Sequence, residues 1–371
     1  MNRYQTTVEA LILPAGIHLN GTAAFDIQVY DDRFYNQVLR YGSLGLGESY
    51  MNGWWDCREL DNFLYQLLSI DIEKQISKSL NAQWQTVKAH LFNMQTVSKS
   101  VHVAQEHYDL GNDLFETMLD KYMMYSCAYW SKARTLDEAQ EDKLELICKK
   151  LKLGPGMRVL DIGCGWGGFA QYAAQKYEVK VTGVTISSQQ AELARARCHG
   201  LPVDILLQDY RLLAGQYDRI VSIGMFEHVG YKNYTVFMQL VKSCLKDDGI
   251  FLLHCIGGNE HNVTTDPWID RYIFPGGMMP SVEQIGRAID KQLIVQDWHN
   301  FGLYYDLTLM EWLGRFKASW GMLKHHYSER FYRMWVYYLC LSAASFRAGK
   351  NQLWQIVLTK PAFSKLYESV R

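Results

Sequence analysis

The residues whose types and spacing promise chemistry gather first around one strand-to-helix turn. VLDIGCGWGGFA, residues 159–170, carries Gly163, Gly165 and Gly168 in a G-x-G-x-x-G spacing, and Gly167 makes the run denser. Glycines let a backbone approach a ligand closely and take positive φ, and the helix that follows offers free N–H groups to an anion. A nucleotide is the expected ligand. A dinucleotide site wants a carboxylate about 20 residues further on, at the end of the second strand. That strand, VKVTGV, ends in Thr185-Ile186-Ser187, and Glu178 comes too early. The dinucleotide reading is lowered accordingly. YGSLGLGESYMNGWW, residues 41–55, is also glycine-rich, but it lacks the Gly-Lys-Ser/Thr ending of a phosphate loop, so a nucleoside triphosphate is not expected there.

The elements that must position these residues follow from periodicity. Leu136–Leu151 reads as a helix stopped by Gly154-Pro155-Gly156. After it come strand Met157–Ile162, helix Phe169–Lys176, strand Val179–Val184, helix Ser188–Cys198 and strand Val203–Leu207. Then come strand Arg219–Ile223, helix Asn233–Leu245, strand Ile250–Cys255, the aromatic helix Phe331–Phe346 and strand Leu353–Thr359. Such alternation implies a parallel α/β sheet with helices on both faces. Upstream, Leu11–Tyr30 has the short alternating runs of strands, while Phe34–Leu39 and Leu60–Leu80 have helical spacing. The polar stretch Asn93–Val101 is the expected linker. The chain therefore divides into an N-terminal domain (1–92), a linker (93–101) and a nucleotide-binding domain (102–371).

The chain has 371 residues, enough for two domains with a sizeable core. Its net charge of -1 excludes a global basic field for nucleic acid. No apolar run reaches the roughly 18 residues of a membrane span, and the N-terminus lacks the basic region of a signal peptide. The eight cysteines show neither C-x-x-C nor zinc spacing, and read as reduced thiols of a cytosolic protein. The adjacent His325-His326 makes no metal site, and none is expected elsewhere. Aromatics at 13% suit an apolar ligand or a membrane interface. Met51, Trp54 and Trp55 read equally as membrane-inserting residues or as core, and Arg315–Arg333 as a solvated face rather than a headgroup site.

Asp161, just before the glycines, fits the D-x-G-x-G-x-G motif of S-adenosylmethionine methyltransferases, and Asp209 fits their acidic position near the adenine. Further motifs, in order, extend the match over nearly the whole chain: GSLGLGESYMNGWW (42–55), EHYDLGNDLF (106–115), YSCAYW (125–130), GVTIS (183–187), LLQDYR (206–211), GMFEHVG (224–230), YIFPGG (272–277) and DWHNFG (297–302). With them the chain closely resembles the bacterial cyclopropane-fatty-acyl-phospholipid synthases, and more distantly the mycolic acid cyclopropane synthases. The resemblance implies a Rossmann-like methyltransferase domain, with a seven-stranded, mostly parallel sheet, behind a small N-terminal α+β domain. It implies transfer of a methylene unit from S-adenosylmethionine to a cis double bond of a phospholipid acyl chain, giving a cyclopropane ring and S-adenosylhomocysteine, with bound bicarbonate as general base. It also implies a homodimer held peripherally at the cytoplasmic face of a phospholipid bilayer, docked by its N-terminal domain.

By the same resemblance, Tyr125 and Ser126 meet the methionine part of the cofactor. Asp161, Gly163, Gly165 and Gly167 form its turn, Thr185 and Gln190 face the ribose, and Gln208 and Asp209 face the adenine. Cys127, Glu227, His254, Ile256 and Tyr305 match the bicarbonate site, Cys127 and Ile256 mainly through backbone groups. The chain departs from the pattern at Ser342, where related sequences often carry Cys, so no catalytic thiol is expected near Cys340. An alkene attacking a sulfonium methyl leaves cationic character on carbon, which aromatic faces can stabilise by roughly 0.5–2 kcal/mol each, and Tyr305, Tyr272 and Phe274 are the candidates. A base must then remove a proton. His228, beside Glu227, is expected to face elsewhere. Methylation that stops short of ring closure, a non-catalytic lipid or cofactor binder and an NAD dehydrogenase are the rival functions.

Overall fold

A computed structural model describes residues 3–70, 111–261 and 265–371. The expected linker at 93–101, the helical spacing beyond residue 70 and the first half of EHYDLGNDLF lie outside the described residues. The chain divides into two compact units. The first comprises Met1–Gly111, Thr264–Gly276 and Trp312–Lys350, and the second Asn112–Val263, Gly277–Glu311 and Asn351–Arg371. This division differs from a single cut in the nineties, because two later segments pack with the N-terminal one.

In the first unit, helix Glu329–Arg347 packs on helices Arg33–Met51 and Leu60–Ser69. Its inner face, Met334 to Phe346, is buried as its aromatic content predicts. Trp55 is fully buried, donating through Nε1 to Leu46 O (3.2 Å) and Ser49 Oγ (3.0 Å), and its ring packs against Tyr50 and Phe63. Met51 is buried as well, and Trp54 lies under the Arg33 guanidinium, 4.5 Å from the ring centroid. Met51 and Trp55 are therefore core residues. Arg333 is also committed within this unit, donating to Tyr50 O, Trp55 O and Asp56 Oδ2. Gly47 is required because a Cβ there would overlap the Trp268 ring.

The alternating stretch Leu11–Tyr30 is not a set of strands. Residues Arg3–Ile12 are a helix with Val8 and Ile12 buried at i, i+4, and the one strand within Leu11–Tyr30 is β1 (Gln28–Val29), paired antiparallel with β2 (Trp55–Asp56). Short apolar runs fit both periods, and here burial of one helix face decides.

The second unit is built on a seven-stranded sheet of order β5-β4-β3-β6-β7-β9-β8. Its strands are β3 (Arg158–Ile162), β4 (Lys180–Thr185), β5 (Val203–Leu207), β6 (Tyr217–Ile223), β7 (Leu245–Gly258), β8 (Ile294–Asn300) and β9 (Asn351–Thr359). Strands β3 to β7 pair in parallel, and β9 runs antiparallel between β7 and β8. Side chains alternate across the sheet. Leu160, Ile162 and Ile220 pack with Phe237, Val241 and Ile285 on one face. Val159, Val181 and Val221 pack with Leu144, Ile147 and Phe169 on the other. Helix Leu136–Lys150 starts at a capping box, in which Thr135 Oγ1 accepts the Glu138 amide and the Glu138 carboxylate accepts the Thr135 amide.

Candidate active site

The glycine turn joins β3 to helix Gly168–Tyr177. Gly163, Gly165 and Gly167 all have positive φ (86°, 53° and 80°), which side-chain-bearing residues rarely adopt. The turn is strapped to the sheet, since the amides of Gly163 and Cys164 both donate to Val184 O at 2.9 Å. A Cβ at Gly163 would lie 2.7 Å from Met225, whereas one at Gly165 would meet nothing within 4 Å. Open space thus faces the turn at Gly165, as a ligand-cradling loop needs. Gly168 lies against Tyr122 O, which brings the 120–127 segment onto the turn. Asp161 is fully buried on β3. Burial pushes its carboxyl up to about 7, and Oδ2 has no hydrogen-bond partner among the described residues.

At the ends of β4 and β5 the structure brings together the expected ribose and adenine residues. Thr185 Oγ1 donates to Gln190 Oε1 (2.9 Å), and Ser187 caps the helix that carries Gln190. The Gln208 amide donates to Thr185 O (3.1 Å). Asp209 accepts from Arg211 Nε and Nη2 (2.9 and 2.6 Å), and these side-chain bonds hold its carboxyl down to about 2.

The 120–127 segment is clamped by buried polar side chains that sequence reasoning missed. Asp120 accepts the amides of Tyr122 (2.8 Å) and Met124 (2.9 Å). From helix Leu136–Lys150, Gln140 Nε2 donates to Ser126 O (2.9 Å), and Lys143 Nζ donates to Ser126 Oγ (2.8 Å). The Tyr125 ring packs edge-on to Phe115, 5.2 Å between centroids, and Phe115 in turn packs on Trp166 of the glycine turn. Cys127 is buried, and burial raises its thiol well above the ordinary range, so it is no nucleophile.

Glu227, His254, Ile256 and Tyr305 come from neighbouring elements. Glu227 sits on the short 3-10 turn Phe226–His228 after β6, and His254 and Ile256 lie on β7. Glu227 Oε1 accepts the Ile256 amide at 2.6 Å, and Oε2 is buried with no partner among the described residues. Burial pushes the Glu227 carboxyl up to about 7. The Ile256 N–H is thereby committed to Glu227. His254 is wholly buried. Burial, then the charges of Lys143 and Lys150, keep its imidazole neutral. Gln355 Nε2 lies 3.3 Å from His254 Nδ1, and His254 Nε2 has no partner among the described residues.

Tyr305 is buried in the first turn of helix Leu303–Leu323, after Phe301, whose ring lies 6.0 Å from that of His254. One turn on, Thr308 Oγ1 accepts from the Ala128 amide (3.1 Å) and Trp130 Nε1 (3.0 Å), tying the segment after Cys127 to this helix. His228, on the same 3-10 turn as Glu227, is exposed, whereas Glu227 beside it is buried. Tyr272 and Phe274 belong to the first unit, where the Tyr272 hydroxyl donates to Glu48 Oε1 (2.9 Å). Cys340 also lies there, buried, with its thiol raised to about 12.

A family model described as mycolic acid cyclopropane synthetase matches residues 95–356. The chain is 53% identical to the cyclopropane-fatty-acyl-phospholipid synthase of Escherichia coli K12, over 94% of this chain and 92% of that protein. It is 33% identical to the tuberculostearic acid methyltransferase of Mycobacterium tuberculosis, over 89% and 82%. Among solved structures, the cyclopropane synthase MmaA2 from Mycobacterium tuberculosis matches with a TM-score of 0.66 at 33% identity, covering 70% of this chain and 98% of that one. The mycolic acid cyclopropane synthase CmaA1, complexed with SAH and CTAB, matches at 0.65 and 34%, with the same coverage.

Proposed function

Because this chain belongs to the mycolic acid cyclopropane synthetase family, whose fold is that of S-adenosylmethionine-dependent methyltransferases, we propose that it transfers a methylene group from S-adenosylmethionine to the cis double bond of an unsaturated phospholipid acyl chain. The products are a cyclopropane acyl chain and S-adenosylhomocysteine, with bicarbonate as the general base. The observation that carries this reading is the pair of buried polar atoms, Glu227 Oε2 and His254 Nε2, each without a partner among the described residues.

Bound S-adenosylmethionine supplies an electrophilic sulfonium methyl. The positive-φ glycines and the open space at Gly165 fit its close approach. By the family resemblance, Thr185 and Gln190 would meet its ribose, Gln208 and Asp209 its adenine, and Tyr125 and Ser126 its methionine part. Neutral His254 offers an N–H donor. Glu227, with its carboxyl near 7, can accept from an O–H or give its own proton. Such a donor and acceptor fit a small oxyacid anion that carries both a proton and a charge, which is bicarbonate. Buried Tyr305, which the family resemblance assigns to the same site, would supply a ring able to stabilise a developing cation. Burial of all three side chains excludes the water that would trap that cation.

Incubation of the protein with S-adenosylmethionine, bicarbonate and vesicles of cis-unsaturated phospholipid tests the reading, with acyl methyl esters read by mass spectrometry. A product one CH₂ heavier and without a double bond supports it. An added methyl that keeps the double bond makes the chain an alkene methyltransferase, and no product removes the reading.

The same reading makes the chain a homodimer associated peripherally with the cytoplasmic face of the membrane, docked through residues 1–92. Extracting an acyl chain into water would expose CH₂ groups at about 0.8 kcal/mol each, so the enzyme must come to the bilayer. No helix among the described residues is long and apolar enough to cross one. Vesicle flotation and sedimentation of the full chain check docking and dimerisation.

A further inference from the structure

We propose that Lys143 is a positioning residue of the transfer reaction: through Ser126 it fits the site to the carboxylate end of the cofactor. The inference rests on the assignment of Ser126 to the methionine part of S-adenosylmethionine.

Lys143 lies in the middle of helix Leu136–Lys150, and its side chain is 0% exposed. Its ammonium has Ser126 Oγ, at 2.8 Å, as its one hydrogen-bond partner among the described residues. The nearest acid acting on it, Asp120, already accepts two backbone amides. A buried ammonium with a single hydroxyl partner is costly unless an anion completes its surroundings. Burial lowers Lys143 only to about 8, so it stays charged near neutral pH.

Ser126 transmits this charge. A serine hydroxyl has one proton and two lone pairs. Accepting from Lys143 leaves its proton for another acceptor, and the ammonium polarises that O–H. Gln140, one turn earlier on the same helix face, fixes the Ser126 carbonyl at 2.9 Å. Backbone and hydroxyl are thus held from one helix, and the hydroxyl presents a strengthened donor, with Ser126 Cβ 3.8 Å from where a side chain at Gly224, just past β6, would begin. A carboxylate is the group such a donor selects.

Calorimetry on the full chain tests this with two probes: S-adenosylhomocysteine, and 5′-methylthioadenosine, which lacks the amino-acid carboxylate. Lys143→Met is expected to weaken S-adenosylhomocysteine binding about tenfold or more, and to leave methylthioadenosine within about threefold. Ser126→Ala should behave alike, and the double variant should lose little more than Lys143→Met alone. Lys143→Gln, which keeps a polar tip without the charge, gives the same contrast should the Met variant not fold. Equal weakening of both probes marks a structural role and overturns the proposal, as does unchanged binding of S-adenosylhomocysteine. A wild-type chain that binds methylthioadenosine but gains nothing from the amino-acid portion overturns the Ser126 assignment, and the proposal with it.

Discussion

Glu227 Oε1 takes the Ile256 amide at 2.6 Å, and the other oxygen of the same carboxyl is left buried without a partner among the described residues. One oxygen fixes the side chain to β7, and the proposed reaction would use the second. Such a division of labour suits a residue that must not move while a proton passes beside it.

Glu227→Gln is isosteric and can keep the bond from Ile256, but it loses the carboxylate. We expect affinity for S-adenosylhomocysteine to stay within about threefold and turnover to fall at least about 100-fold, the usual scale of acid–base participation. Single-turnover rates with saturating cofactor provide the check, and wild-type turnover in this variant removes Glu227 from the mechanism.

The same carboxyl makes stability depend on pH. It ionises near 4.5 in the unfolded chain and near 7 when folded, so the native state holds the extra proton between these values. Stability therefore falls as pH rises through that window. The full effect is roughly 3 kcal/mol, present above about pH 7. Glu227→Gln should be more stable than the parent at pH 8 and gain little at pH 4.5. Urea unfolding across that range measures it, and parallel curves for the two proteins refute the shift.

The turn glycines should separate strain from ligand contact. Gly163→Ala places a methyl against Met225 and forces alanine to φ 86°, so we expect a loss of about 2–4 kcal/mol in stability. Gly165→Ala meets open space and should cost only about 1 kcal/mol, while weakening S-adenosylhomocysteine at least about tenfold. Thermal unfolding and calorimetry on both variants distinguish the two effects.

Thr308→Val keeps the volume but removes the acceptor of the Ala128 amide and of Trp130 Nε1. Leaving a buried donor unpaired costs about 1–3 kcal/mol. Denaturant midpoints should fall accordingly, and Thr308→Ser should recover most of the loss because its hydroxyl returns.

Much of the second unit was legible in the sequence because its strands are short apolar runs punctuated by glycine and proline. Strand β5 spans Val203–Leu207 as expected, and the helix before β3 starts at Leu136 as expected. Helix Leu303–Leu323 and edge strand β8 escaped notice: the helix has no narrow apolar stripe, and β8 mixes Gln296, Asp297, His299 and Asn300 among its apolar residues. The clamp on Ser126 was hidden for another reason. Charged and amide side chains on a helix ordinarily face water. Yet Gln140, Lys143, Ile147 and Lys150 recur at intervals of three and four, and all four are fully buried. That spacing of polar residues on an apolar stripe was the available signal. The glycine turn was legible because its spacing carries it, whereas Glu227 was singled out only through the family resemblance. The commitment of the Ile256 amide to Glu227 was not, because it depends on how a 3-10 turn meets a neighbouring strand.

Strand β9, described above as lying between β7 and β8, has a consequence for biosynthesis. Its partners on both sides are made first, and helix Glu329–Arg347 is translated before it. Until the chain reaches residue 359, β7 presents the edge from Ile250 to Gly258 without the neighbour it pairs with in the finished sheet. A nascent polypeptide thus carries a long apolar edge, Ile250–Ile256, from the completion of β7 at Gly258 until β9 is made at Asn351–Thr359, a template for pairing with other chains. Gln355, the partner of His254, arrives on that same strand. His254 therefore gains this hydrogen-bonding neighbour only as the sheet closes, so the fold and the surroundings of its imidazole are completed together.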